Sequence, residues 1–165
     1  MIEREGTMST NTVTVKSIAP VRVAALTGIA DRNNYDDVGP VIQSLFGRLF
    51  DVLVPAGVEP AGPVVAGYSP AANEALTVTA GCPIPAGVTV DGVEITELPG
   101  MDRAASYVHR GKMINIGEAY QTLATWIEDN GYRTDGSARE VYVVSHPEPE
   151  EEWQTELLMP ISETD

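Results

Sequence analysis

The chain repeats itself, and that repetition limits the folds open to it more than any other feature. Residues 38–45 read Val-Gly-Pro-Val-Ile-Gln-Ser-Leu and residues 116–123 read Ile-Gly-Glu-Ala-Tyr-Gln-Thr-Leu, an offset of 78 with Gly, Gln and Leu identical. Cys82-Pro83-Ile84 and Met159-Pro160-Ile161 form a second echo at an offset of 77. Two matches at nearly one offset define two halves, 12–84 and 88–161, joined by Pro85-Ala86-Gly87.

Both halves follow one pattern. Each opens on an extended stretch, from Val13, Val15 and Val21–Leu26 in the first and from Val88–Ile95 and Ala104–Val108 in the second. Alternation and β-branched residues there favour strand. A helix follows. Ile116, Ala119, Tyr120, Leu123, Ala124 and Ile127 recur at helical spacing, and Val38, Val41, Ile42, Leu45, Phe46, Leu49 and Leu53 repeat the stripe. Asn115 with Glu118 reads as a capping box and Gly131 as a stop. Asp36 and Asp37 precede the other helix, Pro40 falls in its first turn and Pro55 ends it. Two short strands close each half: 63–68 and 75–80, then 139–144 and 154–159. The pattern predicts an α+β fold of two β-α-β-β units. Neither unit alone buries both a helix stripe and a sheet face, so the two pair about a pseudo-twofold axis and leave a cleft between them.

Of the 165 residues, 43% are hydrophobic, enough for one core spanning 12–161 without disulfides or metal. Residues 1–11 are polar and carry both charge signs, which reads as a flexible tail, with Met8 a second candidate start; residues 162–165 read as a short C-terminal tail. The single Cys82 excludes an internal disulfide framework and fits a reducing, cytoplasmic setting. Its place at a strand end suits a small apolar residue. No apolar run approaches the length of a membrane span. The net charge of −14 disfavours nucleic acid and anionic membranes as partners. Residues 85–165 carry 16 acids against 5 bases, part of that excess being the run Glu148–Glu152, which reads as a solvated loop. His109 and His146 are the only histidines and neither has a partner at zinc-ligand spacing. No metal or cofactor is expected.

Two acids inside strands stand out, because burying an unpaired carboxylate is costly. Alternation puts Glu140 with Tyr142 and Val144 on one strand face, and Glu156 with Leu158 on one face of the next. Either both carboxylates look into one space beside Tyr142, or they lie on a solvent-facing surface.

The second half resembles the GyrI-like small-molecule-binding domain. That module forms the effector-binding part of AraC- and MerR-type multidrug-sensing regulators and occurs alone in the DNA gyrase inhibitory protein. The resemblance is carried by His109-Arg110-Gly111, Ile116-Gly117-Glu118-Ala119-Tyr120, Asn130-Gly131-Tyr132, Glu140-Val141-Tyr142-Val143 and Thr155-Glu156-Leu157-Leu158-Met159-Pro160-Ile161. It implies a ligand cleft between repeats, floored by a buried glutamate that meets aromatic, often cationic, lipophilic ligands. That role falls on Glu140, with Glu156 bordering the pocket. The family usually shows Gly-Pro-Tyr where this chain has Gly111-Lys112-Met113, so Met113 replaces a pocket aromatic, and Tyr35 holds the equivalent place in the first half. Tyr35, Tyr68, Tyr142 and Trp126 are the candidate aromatic walls, while Tyr120 and Phe46 lie on the helix stripes and read as core.

Three functions are compatible with the resemblance. The leading one is a stand-alone sensor or sequestering module for lipophilic aromatic or cationic molecules. Another is hydrolysis of cyclopropane-bearing alkylating natural products, with Glu140 and Glu156 as base and assistant and Tyr142 as donor. The third is a protein-interaction role like that of the gyrase inhibitor. The sequence shows no helix-turn-helix segment, so this chain is not expected to read DNA itself.

Overall fold

The computed structural model describes residues 12–164, so the expected tail over 1–11 lies outside the described residues. The chain runs β1 (Thr14–Ile18), β2 (Val21–Ala30), α1 (Tyr35–Leu53), β3 (Val65–Pro70), β4 (Leu76–Pro83), β5 (Glu94–Leu98), β6 (Met101–Arg110), α2 (Ile116–Asp129), β7 (Tyr132–Arg133), β8 (Ala138–Val144), β9 (Gln154–Pro160) and β10 (Ser162–Glu163). The opening stretch of each half is thus two strands, and the unit is β-β-α-β-β rather than β-α-β-β. The breaks fall at Ala19-Pro20 and Pro99-Gly100. Proline brings no N–H to a sheet ladder, which ends the first strand of each pair.

Those short strands are exchanged between the halves. The eight-stranded antiparallel sheet has the order β1-β6-β9-β8-β3-β4-β2-β5, so β1 joins the second half and β5 the first. The order reads the same from either edge once repeat-equivalent strands are matched, which is the signature of the pseudo-twofold. Where the halves meet, β3 pairs with β8 and Ala66 stands directly opposite Glu140. With Pro83 and Pro160 equivalent, the β3–β4 and β8–β9 registers make Ala66 the counterpart of Glu140, and Tyr68 the counterpart of Tyr142, both at an offset of 74. The axis therefore passes between Ala66 and Glu140, with Glu140 directly beside it.

Each helix covers one half of the sheet. Ile42, Leu45, Leu49 and Leu53 of α1 pack with Ala24, Ala66, Val78 and Cys82. Ile116, Ala119, Leu123 and Ile127 of α2 pack with Ala105, Leu157 and Ile161. On the far face the sheet curls, and Val23, Ala25 and Val65 form a separate cluster with Val21, Leu98 and Val141. The β1–β2 and β5–β6 turns touch there: a Cβ on Gly100 would lie 2.7 Å from the Ile18 carbonyl oxygen, so only glycine fits.

The helix starts differ from the sequence reading. Asn34 caps α1 by accepting the Asp37 N–H at 2.8 Å, and Pro40 lies in the second turn. Asn115 makes no side-chain cap, because a 3₁₀ turn at Met113–Asn115 leads into α2. The C-terminal residues are also tied down: β10 pairs with β7 and the Thr164 N–H donates to the Gly131 carbonyl, so 162–164 are not a free tail. Among the described residues no helix is long and apolar enough to cross a membrane.

Candidate functional site

Between α1 and α2, above the β3–β8 seam, lies a cavity of about 1110 Å³. Helix period sets its walls. Val38, Ile42 and Phe46 of α1 face Ile116, Tyr120 and Ala124 of α2 across it, and these are repeat-equivalent positions at the offset of 78. The two helices thus present the same turns to one space, as a twofold requires.

Glu140 forms the floor and is only 4% exposed. Three phenols surround it. Tyr68 and Tyr142 donate to Oε1 at 3.0 and 2.7 Å, and Tyr120 donates to Oε2 at 2.7 Å. Burial pushes the Glu140 carboxyl above the usual carboxylate range, while the tyrosine donors and the nearby His109 oppose that rise. Burial and the adjacent carboxylate also push all three phenols up, so they keep their protons and remain donors. Phe46 packs its edge on Tyr142, centroids 5.9 Å apart, and stacks with Phe50. Among the described residues no Lys or Arg lines this cavity.

The sequence candidates separate. Glu140, Tyr142 and Tyr68 meet at the floor; Tyr35 stands 43% exposed at the mouth, and Met113 lines the wall. The Met113 sulfur accepts from the Thr155 hydroxyl at 3.5 Å. Trp126 does not line the cavity; it stacks on Tyr132, with ring planes 14° apart, and packs against the α2 core cluster. Glu156 is also elsewhere. The β8–β9 register sets Glu140 opposite Leu157 and Val141 opposite Glu156, and residues facing across a ladder share a face. Glu156 consequently points to the far side of the sheet, where its carboxylate takes the Ser106 hydroxyl at 2.6 Å and the Lys16 ammonium. The paired carboxylates expected for hydrolysis do not share a space.

Four wall residues escaped the sequence reading. Tyr120, read as core, puts its hydroxyl on Glu140. Phe46, also read as core, packs against the α1 cluster and lines the cavity as well. Trp153 and Glu150 come from the loop read as merely solvated; Glu150 accepts the Met113 N–H at 2.9 Å. A signal for Tyr120 was present: it is the one stripe position where the second helix carries a phenol and the first carries Ile42.

Among the described residues no group of His, Cys, Asp and Glu could hold a metal ion. What the arrangement can do is hold an apolar molecule against a carboxylate shielded from water.

Similarity to known proteins agrees with this geometry. Residues 11–162 match the GyrI-like small molecule binding domain. No curated protein sequence matches the chain. Among solved structures, the EcmrR C-terminal domain superposes with a TM-score of 0.71 at 19% identity, over 93% of this chain and 99% of that one. SAV2435, solved bound to tetraphenylphosphonium, gives 0.68 at 10% identity, over 92% and 94%. A hydrolase encoded by lin2189 from Listeria innocua gives 0.61 at 15% identity, over 93% of each chain. At these identities the superpositions speak to fold, whereas the family match spans nearly the whole chain. The protein belongs to the GyrI-like small-molecule-binding domain family.

Proposed function

We propose that this protein binds lipophilic aromatic cations in the inter-repeat cavity, with Glu140 as counter-charge, and acts as a sensor or sequestering module. One observation carries the reading: among the described residues, the carboxylate at the floor of an apolar cavity is almost wholly buried, and no Lys or Arg lines the space beside it. Ionised Glu140 is held by three phenol donors and favoured by His109, but the cavity lining holds no Lys or Arg to serve as a permanent positive partner. An arriving organic cation supplies it, and the attraction is strong because water is excluded. Phe46, Phe50, Tyr68, Tyr142 and Trp153 offer ring surface for stacking and cation–π contact, worth about 0.5–2 kcal/mol per good contact. A delocalised cation suits the site, since both carboxylate oxygens already accept hydrogen bonds.

Two features of the comparisons support the class of ligand: the family is one of small-molecule binders, and SAV2435 was solved with tetraphenylphosphonium. Calorimetric titration with tetraphenylphosphonium tests the reading. Binding by the wild-type protein is expected, weakened at least tenfold in Glu140→Gln, about 1.4 kcal/mol. Equal affinity in both proteins would remove Glu140 from recognition.

A further inference from the structure

The loop between β8 and β9 brings a second carboxylate to the same cavity. Glu150 lines the wall half-buried, off the strand that carries Glu140, on a 3₁₀ turn at Glu150–Glu152 in the loop that follows it. Its Oε2 accepts the Met113 N–H at 2.9 Å, which fixes the side chain beside the start of α2. Glu150 takes part in no ion pair among the described residues. Its other oxygen accepts no hydrogen bond from them.

Trp153 lines this wall as well. Its single N–H already donates to the Glu148 carbonyl at 2.9 Å, so ring surface is what it contributes to a guest. An acid fixed by a hydrogen bond and accompanied by an aromatic ring is the same combination that stands at the floor. The volume leaves space for it: about 1110 Å³ is more than the roughly 300–1,000 Å³ of most small-molecule sites.

We propose that Glu150 and Trp153 form a second cation subsite, which fits the cavity to elongated ligands carrying two positive charges, one at Glu140 and one at Glu150. The inference rests on the Glu140 reading above. A monocation fills the floor alone. A dication of suitable length engages both acids in one binding event, and the second contact adds to the first without a second loss of translational freedom.

The test compares tetraphenylphosphonium with alkane-bridged bis(triphenylphosphonium) dications of two linker lengths, titrated against wild type, Glu150→Gln and Glu151→Gln. Glutamine keeps an acceptor for the Met113 N–H and removes only the charge. Glu151 is exposed and outside the cavity lining, so its variant controls for net charge. The expected result is a dication that binds wild type more tightly than the monocation at one linker length. It loses about fivefold in Glu150→Gln and little in Glu151→Gln, while monocation affinity stays within twofold throughout. Equal losses for monocation and dication, or equal losses in the two variants, would overturn the second subsite and leave the Glu140 reading intact. If neither probe binds wild type, the Glu140 reading fails and the subsite falls with it.

Discussion

At Glu140, burial and hydrogen bonding act in opposite directions. Loss of water disfavours the charge, three phenol donors and His109 favour it, and burial prevails, leaving the carboxyl above its ordinary range. The consequence for stability has a definite sign. Unfolded chains release this proton near the ordinary value of about 4.3, the folded protein at higher pH, so the native state binds more protons in between. Stability contributed by the protonated group is fully present below the unfolded value and is lost as pH rises through the folded one. Glu140→Gln is therefore expected to be more stable than wild type at pH 7, with the advantage fading below about pH 4. Urea denaturation at both pH values checks this, and a variant less stable at neutral pH would contradict it. Tyr120 shows why such a site is only partly legible beforehand. Its place in the apolar stripe of α2 tells which face it occupies, but not that its hydroxyl reaches a carboxylate on another element. Glu156 makes the complementary point: alternation assigns faces within one strand, and only the register between β8 and β9 sends its carboxylate away from Glu140.

Among the elements, both helices and most strands follow from periodicity in the sequence, because amphipathic patterns are local. The exchange of β1 and β5 does not, since their partners β6 and β2 are chosen by the turns at Pro20 and Pro99 and by the closure of the whole sheet. Helix starts depend on contacts of the same non-local kind. The loop carboxylate of Glu150 already accepts the Met113 N–H ahead of α2, and the 3₁₀ turn occupies the place where a capping box would form. The two asparagines are consequently unequal. Asn34→Ala is expected to cost about 1 kcal/mol, as loss of a true cap does, and Asn115→Ala close to none. Chemical denaturation of the two variants under one condition distinguishes them; equal losses would show that the α2 start depends on Asn115 after all.

For the molecule as a whole, the halves share one sheet rather than abutting as two domains. The β3–β8 ladder joins them, and each contributes an edge strand to the other. Unfolding should therefore be one cooperative event. Both tryptophans, Trp126 and Trp153, lie in the second half, whereas Leu49, fully buried on the inner face of α1, lies in the first. Leu49→Ala is expected to lower stability by about 2–5 kcal/mol, and tryptophan fluorescence should report the same shifted midpoint as circular dichroism. An unshifted fluorescence transition would mean that the halves melt separately. The repeat made this duplication legible from the start, and with it the cleft; the residue beside the axis was legible only as an acid in an unlikely place.

That position beside the axis is also where the account is most exposed to test. Tetraphenylarsonium has nearly the shape and charge of tetraphenylphosphonium and carries a strong anomalous scatterer. Crystals grown with it at saturating concentration should show one arsenic peak inside the cavity, beside the Glu140 carboxylate and against Phe46 and Tyr142. A cavity without that peak, or arsenic bound only elsewhere on the protein, would contradict the claim that a buried acid beside the pseudo-twofold axis is what this fold offers to its ligand.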